Sequence, residues 1–100
     1  MSVIKVTNEN FSEVIANEKP VLLDFYADWC GPCRMVGPIV AEIAEEHPEI
    51  LVGKVNVDEN PDLARKFNVT SIPLLVVLKN GELVNSALGL RPKEEILALL

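Results

Sequence analysis

Residues 21–33 read Val-Leu-Leu-Asp-Phe-Tyr-Ala-Asp-Trp-Cys-Gly-Pro-Cys, and no other stretch restricts the possible folds of this chain as much. A β-rich apolar run with one acid inside it ends at Ala27-Asp28, and two cysteines three apart follow Trp29. Beyond Cys33, residues 34–47 carry a helix-compatible pattern of apolar positions. Strand, tight turn and helix start together form a setting in which a Cys-x-x-Cys becomes reactive. The unpaired N–H groups and positive dipole end of a first turn favour thiolate over thiol. Helix positions i and i+3 share a face, so the two sulfurs can reach disulfide distance. Pro32 suits the first turn, where the N–H it lacks would have no intrahelical partner. Cys30 and Cys33 are the only cysteines, so any dithiol chemistry is theirs.

Size and charge narrow the setting. A chain of 100 residues with 49% apolar content is expected to form one domain over residues 1–100. The net charge of −6 argues against nucleic acid, whose binding needs a basic footprint. It also points to a soluble monomer that associates weakly with its own copies. Unbroken apolar stretches such as 74–78 fall far short of membrane-spanning length, so no membrane partner is expected. No basic-then-apolar leader opens the chain, which makes the cytoplasm the expected compartment. Thiols are kept reduced there, and a structural staple becomes the less natural reading of two cysteines.

Strands are expected at 3–6, 21–27, 51–57, 74–79 and 82–88, and helices at about 9–17, 32–47, 61–67 and 92–100. Asn8 or Asn10 would cap the first helix, and Asn60-Pro61-Asp62 reads as a cap, a first-position proline and an early acid. Pro38 falls inside the second helix and should kink it. Asn80-Gly81 between two β-rich runs is a type I′ hairpin signal, making the last two strands antiparallel. Before it, strands alternate with helices, which argues for parallel pairing through crossovers. The fold class is α/β, a mixed sheet with helices on both faces.

Individual residues can be weighed on their chemistry. Tetrahedral zinc wants four ligands, and beyond the cysteine pair the chain offers only His47, so no metal site is expected. Cys30 lies nearer the turn, which should make it the more exposed and the more dipole-stabilised sulfur, hence the nucleophile. Cys33, one turn in, would be the resolving thiol. Asp24 lies in a run expected to be buried on either strand face; an acid there marks a mistaken strand assignment, a satisfied structural carboxylate, or an acid whose pKa burial raises toward neutrality. Lys54 reads as a surface lysine with a snorkelling stem. Trp29, directly before the reactive turn, is expected half exposed as an amphipathic contact surface. His47 should place a favourable charge at a helix end, and the acidic run 42–49 should be a solvated face.

Taken together, Asp-Phe-Tyr-Ala-Asp-Trp-Cys-Gly-Pro-Cys, Pro38, Val-Gly-Lys-Val-Asn-Val-Asp-Glu-Asn-Pro-Asp-Leu-Ala, Ser71-Ile72-Pro73 and Lys-Asn-Gly-Glu-Leu-Val followed by Gly89 resemble the thioredoxin family over nearly the whole chain. The resemblance implies a thioredoxin fold, a five-stranded mixed sheet flanked by four helices, and thiol–disulfide oxidoreductase activity on disulfide-containing proteins. It makes Asp24 the base for Cys33 through water, with Lys54 beside it modulating that acid. It makes Ile72-Pro73 a cis loop facing the cysteines, with the Ile72 backbone pairing an extended substrate strand and Gly89 leaving it room. Trp29, Gly31, Pro32, Ile72, Pro73 and Gly89 would then frame the substrate. Recharging would fall to a flavin-dependent thioredoxin reductase drawing on NADPH, so this chain would hold no cofactor. Leu74 and Leu90 depart from the family, which usually has threonine and a small residue there. Two rivals remain at this point: a binding module with incidental redox chemistry, and an oxidant or isomerase of the same fold. An intact Cys-Gly-Pro-Cys, Asp24 and Pro73 together favour catalysis over the module, and the absent leader and the Gly-Pro dipeptide, typical of the family's reducing members, count against the oxidant or isomerase.

Overall fold

The computed structural model describes residues 3–100. Among these, the chain runs β1 (Val3–Lys5), α1 (Phe11–Ile15), β2 (Val21–Tyr26), α2 (Gly31–Glu46), β3 (Leu51–Asn56), α3 (Pro61–Lys66), β4 (Leu74–Lys79), β5 (Glu82–Leu88) and α4 (Lys93–Leu97). The strands form one mixed sheet in the order β1-β3-β2-β4-β5. β2 is hydrogen-bonded on both flanks, parallel to β3 and antiparallel to β4. Its alternating side chains therefore feed two cores. Leu23 and Phe25 join Phe11, Val14 and Leu63 under α1 and α3, and Leu22 joins Val36, Val40, Ile43 and Ile96 under α2 and α4.

Parallel pairing before the hairpin holds for β1, β3 and β2 but not for β4, which lies antiparallel to β2. The reason is reach. A parallel β4 would require the chain to return along the six residues of β3, about 20 Å. The six residues of α3 span only about 9 Å. The chain instead re-enters the sheet at the end where β3 leaves it, with Leu74 opposite Phe25. The same short-helix device works for α1 because β1 has only three residues to retrace.

Of the local expectations, the two asparagine caps change. Asn10 and Asn60 occupy N-cap positions, yet neither side chain caps its helix. Asn10 Oδ1 accepts from the Thr7 N–H at 2.8 Å, while its Nδ2 donates to the Lys5 carbonyl at 2.8 Å. Buried Asn60 accepts from the Asn8 N–H at 3.0 Å and donates to the Asn56 carbonyl at 3.1 Å. Both amides tie loops together rather than close helix ends. α2 continues through Pro38, whose ring leaves the Arg34 carbonyl without its i+4 donor. Asn80 and Gly81 both have positive φ, 53° and 79°, as a type I′ turn requires. His47 caps the end of α2, and its ring meets Glu49 at 2.9 Å.

Gly53, in the middle of β3, is where the sheet meets its tightest packing. A Cβ there would lie 2.5 Å from Val6 Cγ2 and 3.2 Å from Leu23 Cδ2, on fully buried side chains. Gly53→Ala is expected to destabilise the fold by about 1–3 kcal/mol through overpacking. Denaturant melts measure this, and an alanine variant as stable as the parent would show that β1 and β2 can yield.

Candidate active site

The site begins where β2 runs out of partners. After Tyr26 the chain turns through Ala27-Asp28-Trp29, closed by the Cys30 N–H donating to the Ala27 carbonyl at 3.2 Å. Cys30 is the N-cap of α2, in extended conformation, and its Sγ accepts from the Cys33 N–H at 3.2 Å. A sulfur thus stands where a serine or aspartate oxygen usually caps a helix, aligned with the positive end of the dipole. Gly31 and Pro32 fill the first helical turn, and Cys30 and Cys33 are joined as a disulfide with Cα atoms 5.2 Å apart. Arg34 braces the turn by donating from Nη1 to the Asp28 carbonyl at 2.7 Å.

Exposure does not separate the two cysteines, contrary to the expectation for Cys30: they are 5% and 4% exposed. Both pack with Ala27 against Tyr26, Val57 and Ile72, so the loop before β4 covers the sulfur nearer the turn. Their surroundings do separate them. Cys30 Sγ lies 3.9 Å from the Ile72 carbonyl oxygen, at the edge of the Ser71–Pro73 loop. Cys33 instead lines an inner cavity. The Ile72-Pro73 peptide bond is cis, and the Pro73 carbonyl accepts from the Gly89 N–H at 2.8 Å. Gly89 adopts φ +96°, open to glycine and strained for other residues.

That inner cavity, about 230 Å³, is lined by Asp24, Tyr26, Ala27, Asp28, Cys33, Arg34, Gly37 and Lys54. Asp24 is 4% exposed and its Oδ1 has no hydrogen-bond partner. Burial pushes its pKa from 3.8 to about 7, and the nearby Lys54 ammonium, on the residue paired with it across β2 and β3, opposes the rise. Desolvation outweighs the charge because Lys54 is itself exposed to water, which screens it. The structure therefore brings Asp24, Lys54 and Cys33 around one space. Among the described residues no group of His, Cys, Asp and Glu is arranged to hold a metal.

On the other side of the cysteines lies a groove of about 570 Å³, running from Trp29 along α3 to Thr70, Ser71 and Ile72. Trp29 is 69% exposed, more than the half expected, and its Nε1 donates to Asp58 Oδ2 at 2.8 Å. Asn56 orders the turn that presents Asp58, accepting from the Asp58 and Glu59 N–H groups at 2.9 and 3.2 Å. Sequence reasoning missed Asp58, Arg34 and Tyr26. For Tyr26 a signal existed, since it stands two residues after Asp24 on the same strand face. For Asp58 and Arg34 nothing local names the partner. Leu74 packs half-buried against the core under α1 and α3, whereas Leu90 is exposed. No helix among the described residues is long and apolar enough to cross a membrane.

Comparison with known proteins agrees with this geometry. The thioredoxin family profile matches residues 2–100. A thioredoxin of Pyropia yezoensis is 50% identical over 102 residues, covering 100% of this chain and 95% of its own. One from Alicyclobacillus acidocaldarius is 47% identical over 96 residues, 95% of this chain and 91% of its own length. A third, from Mycobacterium tuberculosis strain H37Rv, is 47% identical over 96 residues, with coverage of 94% and 83%. With the strand order, the helix-capping sulfur and the apposed cysteines already in hand, these likenesses leave one conclusion: the chain belongs to the thioredoxin family and is a thiol–disulfide oxidoreductase.

Proposed function

We propose that the protein, acting as a single domain and a monomer, is a general cytoplasmic reductase of protein disulfides, with Cys30 attacking and Cys33 resolving. The observation that carries this reading is the cavity joining Asp24, whose buried Oδ1 has no hydrogen-bond partner, to Cys33 and not to Cys30. Cys30 caps the helix, where the dipole favours its thiolate in the reduced protein. Its thiolate attacks one sulfur of a partner's disulfide; that S–S bond breaks, a mixed disulfide forms, and the other partner sulfur leaves as thiolate. Asp24 takes the Cys33 proton through water, and Cys33 attacks Cys30 Sγ. The Cys30–partner S–S bond breaks, the second partner sulfur leaves as thiolate and takes a proton from water, and the chain is left with the Cys30–Cys33 bond present in this structure.

Trp29, Gly31, Pro32, Ile72, Pro73 and Gly89 frame the partner's chain. The Ile72 backbone, at the mouth of the groove and beside Cys30, suits pairing with an extended strand. Lys54 tunes Asp24 from across the strand pair. Two electrons must then return to the disulfide, and a flavin-dependent NADPH thioredoxin reductase fits that need, with no cofactor held here. A binding module without turnover would gain nothing from an acid held near neutrality beside Cys33, and the turnover assay of dithiol-driven disulfide reduction separates the two.

The cysteines should fail differently. Cys33→Ser is expected to accumulate a mixed disulfide with a protein substrate, while Cys30→Ser captures almost none, because its thiol faces the inner cavity. Mass spectrometry of the adducts reads this, and equal trapping by both variants overturns the assignment.

Asp24 links stability to activity. Between about pH 4 and 7 the unfolded chain has shed this proton while the native state keeps it, so native stability falls as pH rises through that window and levels off above it. Asp24→Asn removes the penalty. It should stabilise the protein at pH 7 by about 2–4 kcal/mol, and far less at pH 4. Release of the partner from the mixed disulfide should slow by about tenfold or more, because the proton acceptor is gone. Denaturant melts at both pH values, with single-turnover release, test the pair of effects. A variant less stable at pH 7 and fully active would make Asp24 a structural carboxylate.

A further inference from the structure

Tyr26 touches both halves of the chemistry and has no part in the mechanism above. It stands two residues after Asp24, so both side chains project from the same side of β2. Its side chain packs against the buried cluster of Ala27, Cys30 and Cys33. Its face lies under the Lys54 ammonium, 5.8 Å from the centroid. Lys54 sits opposite Asp24 in the register of β2 with β3, and Tyr26 opposite Asn56, so ring and ammonium meet on the diagonal of one strand pair. Tyr26, Lys54, Asp24 and Cys33 all line the same cavity.

We propose that Tyr26 is a positioning residue for the resolving step, its ring holding the Lys54 ammonium at the mouth of the cavity that joins Asp24 to Cys33. The need for such a hold follows from the lysine's setting. A four-carbon stem at an exposed strand position gives the ammonium many places to go, most of them in water. On the far flank, Lys5 of β1 stands directly opposite Lys54, a like charge that disfavours that side. Glu59 engages Lys5 at 3.6 Å. The other charged groups bordering the site are Asp28 on the turn and Arg34 on α2, and Arg34 Nη1 is already bound to the Asp28 carbonyl. An aromatic face beside the cavity attracts a cation without neutralising it, so the lysine keeps its full charge for Asp24. A carboxylate in that place would pair with the ammonium and cancel its field.

The inference rests on the reading of Asp24 as base, and the test keeps the two apart. Asp24 is titrated in the oxidised protein by NMR of its side-chain carboxyl carbon, in the parent, Tyr26→Leu, Tyr26→Phe, Lys54→Met and the Tyr26→Leu/Lys54→Met double variant. Tyr26→Leu should raise the Asp24 midpoint by up to about half a pH unit, the shift that a ring–cation contact at a water-facing site supports. Tyr26→Phe, which keeps the ring, should keep the parent's titration. In the Lys54→Met background Tyr26→Leu should add no further shift, since the ring acts through the lysine. The midpoint of the pH profile for partner release should move upward with the titration, lowering the rate at pH 7 by about twofold in Tyr26→Leu. Tyr26→Met serves as a second ringless variant if the leucine variant does not fold. An Asp24 midpoint indifferent to loss of the ring overturns the proposal, as does an equal shift with Lys54 absent, which would mean that Tyr26 acts by burying Asp24. If instead Asp24→Asn releases its partner at the parent's rate, the base reading falls, and the place of Tyr26 in the resolving step falls with it, while its effect on the titration is still measured.

Discussion

The structure turns on a carboxylate held in the middle of a strand that has no free edge. β2 is paired on both flanks, so the backbone of Asp24 cannot shift register without moving β3 and β4 with it. The same pairing ends at Tyr26, and the chain must turn there, which fixes where Cys30 caps α2. One strand thus sets the distance between acid and sulfurs. Desolvation of Asp24 is tolerated because the rest of β2 buries Val21, Leu22, Leu23 and Phe25 almost completely. At roughly 1.5–3 kcal/mol for each fully buried side chain, those four outweigh the few kcal/mol that a proton held near pH 7 costs.

Charge at the site is arranged by strand geometry more than by direct contact. Lys5, Lys54 and Asp24 occupy neighbouring strands at matching register, a row of two cations and an acid across β1, β3 and β2. Lys54 is close enough to lower the Asp24 pKa and too exposed to restore an ordinary carboxylate. An ion pair in contact would have kept Asp24 ionised at neutral pH and left it a poor proton acceptor.

Much of this was legible in the chain because the deciding signals are local. The order of strands and helices, the hairpin at Asn80-Gly81 and the sulfur at a helix start follow from neighbours in sequence. The cis Ile72-Pro73 bond came from the resemblance and not from any local preference. What stayed hidden involves partners distant in sequence. Asn10 and Asn60 looked like caps because their position fits one, yet their amides bind Lys5, Asn8 and Asn56. The direction of β4 depends on how far a six-residue helix can carry the chain against a six-residue strand, a comparison no single segment states. The equal burial of Cys30 and Cys33 arises from Ile72, some forty residues away. The bond from Trp29 to Asp58 likewise joins two turns that sequence alone leaves separate.

The groove beside Trp29 and the cavity behind Cys33 share no lining residue. If Asp24 is the base for Cys33, electrons and protons have separate doors. A partner protein seated along α3 and the Ser71–Pro73 loop, as proposed, would cover the first and leave uncovered the second, which Lys54 and Arg34 border. On the proposed reading of Asp24 as base, its proton would leave through the cavity while a partner is still attached, and each catalytic round would reset its acid without waiting for the surface to clear.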